Sequence, residues 1–138
     1  AMLTYPGVQS IFAGDEIGLE GSWGEDSRRT INWEDRSGWD HDFLAEAKKL
    51  IELRRTQDGL IEGGLRWVAV EDNFICYLRE SEKQSVLVFI SRKAVRTEID
   101  LADYGYKVSK TLYGPEATGG SIKIDADGAT QGIWEVKS

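Results

Sequence analysis

The pattern of apolar and polar positions changes character twice along the chain. Residues 1–14 hold a short apolar run, Val8, Ile11, Phe12 and Ala13, after the turn signal Tyr5-Pro6-Gly7 and before Gly14. A run this short predicts a strand over 8–13, buried on both faces of a parallel sheet. Residues 14–39 are polar and punctuated by Gly14, Gly18, Gly21, Gly24 and Gly38. A loop of that length in a compact domain signals function or disorder. From Asp40 the period becomes helical, and a helix is predicted over 41–55. Phe43, Ala47, Leu50 and Ile51 share one face with Leu44 beside them, while Lys48, Lys49, Glu52 and Arg55 take the other. Asp40 or Asp42 caps the start, Arg54 and Arg55 suit the C-terminal end of the dipole, and Gly59 is read as the stop.

Beyond Leu65 the period falls to two. Strands are predicted over 66–71, 73–80, 85–92, 96–101, 106–113, 121–125 and 132–137. Turn signals separate them at Glu71-Asp72-Asn73, Ser81-Glu82-Lys83, 117–120 and Asp127-Gly128. Regular short strands with such turns argue for an antiparallel sandwich. The expected class is mainly β with one major helix, and the expected boundary lies near 59–64. The first zone is incomplete by itself: one strand and one helix cannot bury both faces of that strand. It reads as the last piece of something larger.

Composition narrows the partners. With 138 residues and 41% hydrophobic content, the chain can bury a real core. A single cysteine, Cys76, excludes an intrachain disulfide framework, and a single histidine, His41, excludes a histidine pair. No cofactor or metal is implied. The net charge of −7 argues against nucleic acid. No apolar stretch approaches membrane-spanning length and no basic region precedes an apolar run, so no membrane partner is expected and a cytoplasmic location is the working expectation. Between Asp15 and Asp42 stand nine acidic residues and three arginines, so most of the net charge lies in the polar loop. That stretch is either a solvated loop or an acidic rim around a neutral or cationic ligand.

Three segments carry a family resemblance. Tyr5-Pro6-Gly7-Val8-Gln9-Ser10-Ile11-Phe12-Ala13-Gly14-Asp15-Glu16-Ile17-Gly18 resembles the eighth-strand segment of the α-amylase family, glycoside hydrolase family 13. Arg28-Arg29-Thr30-Ile31-Asn32-Trp33 resembles the Arg-x-x-Met-x-Trp stretch of α-glucosidase and neopullulanase-like members. Leu50-Ile51-Glu52-Leu53-Arg54-Arg55 is similar to the helix that closes the family's barrel. Gln9 stands where the family commonly has proline, and Ile31 where it has methionine. The resemblance implies residues 1–59 as the last strand–loop–helix unit of a TIM-type catalytic barrel, followed by a β-sandwich over 60–138. It implies a C-terminal fragment of a retaining enzyme acting on an α-glucan or oligosaccharide. The family's catalytic carboxylates lie on earlier strands and have no counterparts here, so no catalytic residue is assigned and the chain alone is expected to be inactive.

Four residues are candidates for the parent's sugar site. Asp15 and Glu16 follow the expected strand, on the side where a TIM barrel places its active site; the simpler role is to brace the turn by accepting backbone N–H bonds. Arg28 aligns with the family arginine, whose planar fork suits a carboxylate; the simpler role is a surface arginine balanced by Glu25 or Asp26. Trp23, in the polar loop, is the candidate for stacking on sugar. Trp33, Trp67 and Trp134 are expected to pack, and Trp39 to staple the first helical turn. Cys76 is expected to be a buried, inert thiol, and His41 to have no catalytic role. Two other readings stand beside the fragment: a free-standing carbohydrate-binding module, and an assembly or interaction domain. An unpartnered apolar strand over 8–13 predicts a homodimer through residues 1–14.

Overall fold

The computed structural model describes residues 1–138, leaving aside only the side chain of Ser27. The chain divides into two compact units: Ala1–Pro6 with Leu53–Ser138, and Gly7–Glu52.

In the first unit, seven strands form where alternation begins: β1 Gly64–Val70, β2 Phe74–Glu80, β3 Ser85–Ser91, β4 Val95–Asp100, β5 Lys107–Tyr113, β6 Ser121–Ala126 and β7 Thr130–Lys137. All seven expected strands are present, and every pairing is antiparallel. Five strands make one sheet in the order β1-β2-β3-β7-β5, and β4 pairs with β6 in a second. Apolar side chains of both sheets meet in one core, with Leu78, Leu87, Phe89 and Trp134 from the larger and Ile99, Ile122 and Ile124 from the smaller. Trp134 is fully buried, as expected, and its indole Nε1 donates to the Pro115 carbonyl at 2.9 Å. Its ring lies where a side chain on Gly132 would collide with it, so the small residue two positions back makes room for the largest one.

β2 and β3 read as nearly continuous apolar runs because they are buried on both faces. Cys76, Leu78, Leu87 and Phe89 point to the core. Tyr77, Arg79, Val86 and Val88 point the other way and are equally inaccessible. That second face meets a short helix, α2 Asp58–Ile61, and the first residues of the chain.

α2 corrects the reading of Gly59 as a helix stop. Gly59 sits inside α2, buried, and its N–H donates to Gln84 Oε1 at 3.0 Å. A β-carbon there would lie 3.0 Å from the Gln84 carbonyl oxygen and from Val86 Cγ2. The glycine marks a close approach of helix to sheet. The main helix, α1, spans His41–Thr56 and stops just before it, at Gln57.

The strand expected over 8–13 does not form. Met2–Thr4 is one turn of 3-10 helix, and residues 8–12 have no regular structure. Val8 is fully exposed, and Ile11 and Phe12 are also exposed. A strand exists only where a neighbour accepts its backbone groups, and this segment pairs with none of the seven strands. In α1, Asp40 is the cap: its Oδ1 accepts the Phe43 N–H at 2.8 Å. Phe43 is exposed, so the expected apolar face reduces to Leu44, Ala47, Leu50 and Ile51, all half-buried. No helix is long and apolar enough to cross a membrane.

Candidate functional site

Asp15 and Glu16 lie on a single turn of 3-10 helix, Asp15–Ile17, bounded by Gly14 and Gly18 in the left-handed region. Glu16 Oε2 accepts the Gly14 N–H at 2.9 Å, so this carboxylate braces its own turn. Leu19 N–H and Ile17 N–H both return to the Gly14 carbonyl, and Asp40 N–H donates to the Ile17 carbonyl. The turn is thereby tied to the start of α1. Asp15 is exposed.

Arg28 is the last residue of a second turn, Asp26–Arg28, and Trp23 lies three residues before that turn. Trp23 is 62% exposed. Arg28 closes the turn through its N–H to the Glu25 carbonyl at 3.1 Å, and its side chain is exposed. Arg29, not Arg28, takes the bidentate pair with Asp26, with Nη2 at 2.6 Å and Nε at 3.1 Å. A spacing of three residues places side chains on the same edge of a tight turn, and a spacing of two does not. Arg29, with help from Ser22, holds the Asp26 carboxyl down at about 2.

A third group was not legible as one. Trp33 was expected to pack, yet it is 62% exposed. Its ring meets Trp39 edge to face, centroids 5.4 Å apart at 79°. The Arg36 guanidinium lies 5.0 Å from the Trp39 ring, and Arg36 Nε donates to the Trp33 carbonyl. His41 also lies against Trp39, centroids 6.3 Å apart, and its Nε2 is 3.2 Å from the Arg36 carbonyl. Trp39 does meet the first turn of α1, as a staple would, but through His41. The available signal was spacing: Trp33, Arg36 and Trp39 recur every three residues, which on a chain of tight turns brings all three together.

A buried polar group gathers the ends of the first unit. Arg79 is 1% exposed and donates to the Gly63 carbonyl through Nε and Nη2, and to the Thr4 carbonyl through Nη1. Burial, reinforced by the nearby Arg54 charge, pushes its pKa down. Arg54 donates to the carbonyls of Tyr5 and Leu60. Thr4 Oγ1 and the Tyr77 hydroxyl are 2.6 Å apart, and Tyr5 and Trp67 complete an aromatic cluster over Tyr77. Trp67 thus packs as expected on one side while remaining 44% exposed. Cys76 is buried, and desolvation pushes its thiol up to about 12.

This architecture, a two-layer antiparallel β module preceded by a helix and glycine-rich turns, recurs in solved carbohydrate-active enzymes. It matches the debranching enzyme from Nostoc punctiforme with a TM-score of 0.78 and 26% identity, over 97% of this chain and 29% of that one. The trehalulose synthase of Pseudomonas mesoacidophila shares the fold, with a TM-score of 0.76 at 18% identity over 99% of this chain and 37% of that one. Among curated proteins the chain is 33% identical to a cyclomaltodextrinase from Bacillus sp over 90 residues, 64% of this chain and 16% of the relative. It is 29% identical to a maltogenic alpha-amylase from Bacillus acidopullulyticus over 120 residues, 83% of this chain and 20% of the relative. No family model matches. The chain is therefore related to the enzymes of the α-amylase family, glycoside hydrolase family 13, and corresponds to a C-terminal part of them. It spans a fifth or less of the length of the two curated relatives above.

Proposed function

We propose that this chain is the C-terminal portion of a retaining α-glucan-active glycoside hydrolase, working by hydrolysis or by transfer, and that its role is to close and support a catalytic barrel. The supporting observation is the alignment along 83% of the chain with a maltogenic alpha-amylase of which it spans only 20%. In this reading residues 1–59 are the closing unit of the barrel and 60–138 the β-sandwich behind it. Asp15, Glu16, Trp23 and Arg28 line the parent's sugar site. None of them is a catalyst: retaining hydrolysis needs two carboxyl groups about 5–5.5 Å apart across the bond, and Glu16 is spent on its own turn. The cytoplasmic location is proposed on the strength of a relative named intracellular maltogenic amylase.

Exposed Trp23 and Trp33 favour a second reading, a carbohydrate-binding module that acts without a catalyst. The homodimer through residues 1–14 is proposed on a narrower basis than a strand edge. Thr4 is already engaged within its own chain, which leaves Val8, Ile11 and Phe12 to seek cover. Light scattering at high protein concentration tests it, with a monomer excluding it.

The fragment reading is tested by assaying the chain on an aryl α-maltoside. The expected result is no release of nitrophenol above buffer. Turnover that survives repurification and disappears on Asp15→Asn or Glu16→Gln overturns it.

A further inference from the structure

We infer that the Trp33–Trp39 turn is a stacking site for one glucosyl face of a neutral α-glucan chain, an inference that rests on the α-glucan reading above. The indole of Trp33 is exposed, yet it is fixed in place. Trp39 supports it edge to face, and both Arg36 and His41 lie against Trp39. The backbone beneath is knotted: Asn32 Oδ1 accepts the N–H groups of Glu34 and Asp35, Asp35 Oδ1 accepts that of Ser37, and the Arg36 carbonyl accepts that of Trp39. An aromatic platform ordered before binding loses little freedom when a ligand arrives.

The surroundings select the ligand. Asn32, Glu34, Asp35 and Arg36 are exposed, so polar groups ring a single indole. A protein partner seeks a contiguous apolar patch with few charges at its centre. A sugar ring offers one apolar face bordered by hydroxyls, which matches an isolated indole with hydrogen-bonding neighbours. The surrounding stretch from Asp15 to Asp42 is strongly acidic, which disfavours an anionic ligand and tolerates a neutral one. Trp23 is as exposed as Trp33, but no ring supports it among the described residues.

The test is a titration of the whole chain with maltoheptaose and, separately, cellohexaose, read from the indole ¹H–¹⁵N resonances. The expected result is that maltoheptaose shifts Trp33 and Trp39 with a Kd on the order of 1 mM. Trp33→Ala should abolish the shift of Trp39, and Trp33→Phe should weaken binding by about tenfold. Because Trp33 is exposed, its variants should keep the far-ultraviolet circular dichroism of the parent. Binding that persists in Trp33→Ala overturns the proposal. Response to cellohexaose alone overturns both the ligand assigned here and the α-glucan reading beneath it. Silence toward both sugars overturns the stacking site and leaves the α-glucan reading standing.

Discussion

Arg79 is a positive charge inside a hydrophobic face, satisfied by backbone oxygens of Gly63 and Thr4. Removing it would leave those two carbonyls buried without a donor, at about 1–3 kcal/mol each. Arg79→Met is therefore expected to destabilise the first unit by about 2–4 kcal/mol in urea unfolding, with Arg79→Lys recovering only part, since an ammonium cannot reproduce the fork. Glu80, next along β2, makes a testable contrast. Arg66 binds its carboxylate through two N–H groups, and the Tyr106 hydroxyl adds a third bond. These bonds, Arg66 foremost, hold its pKa below the usual glutamate range against the opposing effect of burial. A depressed carboxylate stabilises the fold at and above the ordinary glutamate pKa, and that contribution drains away as pH falls through the depressed value. The difference in stability between the parent and Glu80→Gln should therefore be constant near neutrality and shrink in acid.

Among the elements, α1 shows how local signals and packing divide the work. Asp40 caps its start. Asp40→Ala is expected to cost about 1 kcal/mol, visible as faster amide exchange at Phe43 and Leu44 while the strands stay protected. The seven strands, and a cap narrowed to Asp40 or Asp42, were legible because their signals lie within a few positions: alternation, turn residues, an aspartate before an apolar face. The strand expected over 8–13 was not, because strand formation depends on a neighbour that local sequence cannot supply. Phe43 matched the helical period but remains 51% exposed. The site divides in the same way. Glu16 as a brace could be read from two glycines around an acidic pair. Trp33 could not be read as exposed, since a tryptophan's spacing reveals which neighbours it meets and not whether solvent meets its other side. Arg79 was invisible for a related reason: an arginine alternating on a strand looks like a surface residue, and only the return of Thr4 and Gly63 over that face makes it a buried one.

At the scale of the molecule, the two units have unequal means of holding themselves together. The first has a core closed between two sheets; the second, Gly7–Glu52, is built of turns and part of one helix in which no residue is fully buried. Hydrogen exchange should be slow in β3 and much faster across residues 20–36, and equal protection in both would contradict this division. The chain also enters and leaves the second unit by way of the first. Pro6 and Leu53 are the exits, and between their neighbours Arg54 donates to the Tyr5 carbonyl at 3.0 Å, across 49 positions of sequence. The second unit is thus an insertion in the sequence of the first, and the clasp that brackets it, Arg54 to Tyr5, lies wholly within the first. In the vocabulary of chain surgery it is an excisable insert, to be replaced by a short glycine linker from Pro6 to Leu53 beside the Arg54–Tyr5 bond. The shortened protein is expected to unfold in urea at a midpoint close to that of the full chain, because the clasp that closes the long excursion is the same one that would close the short one.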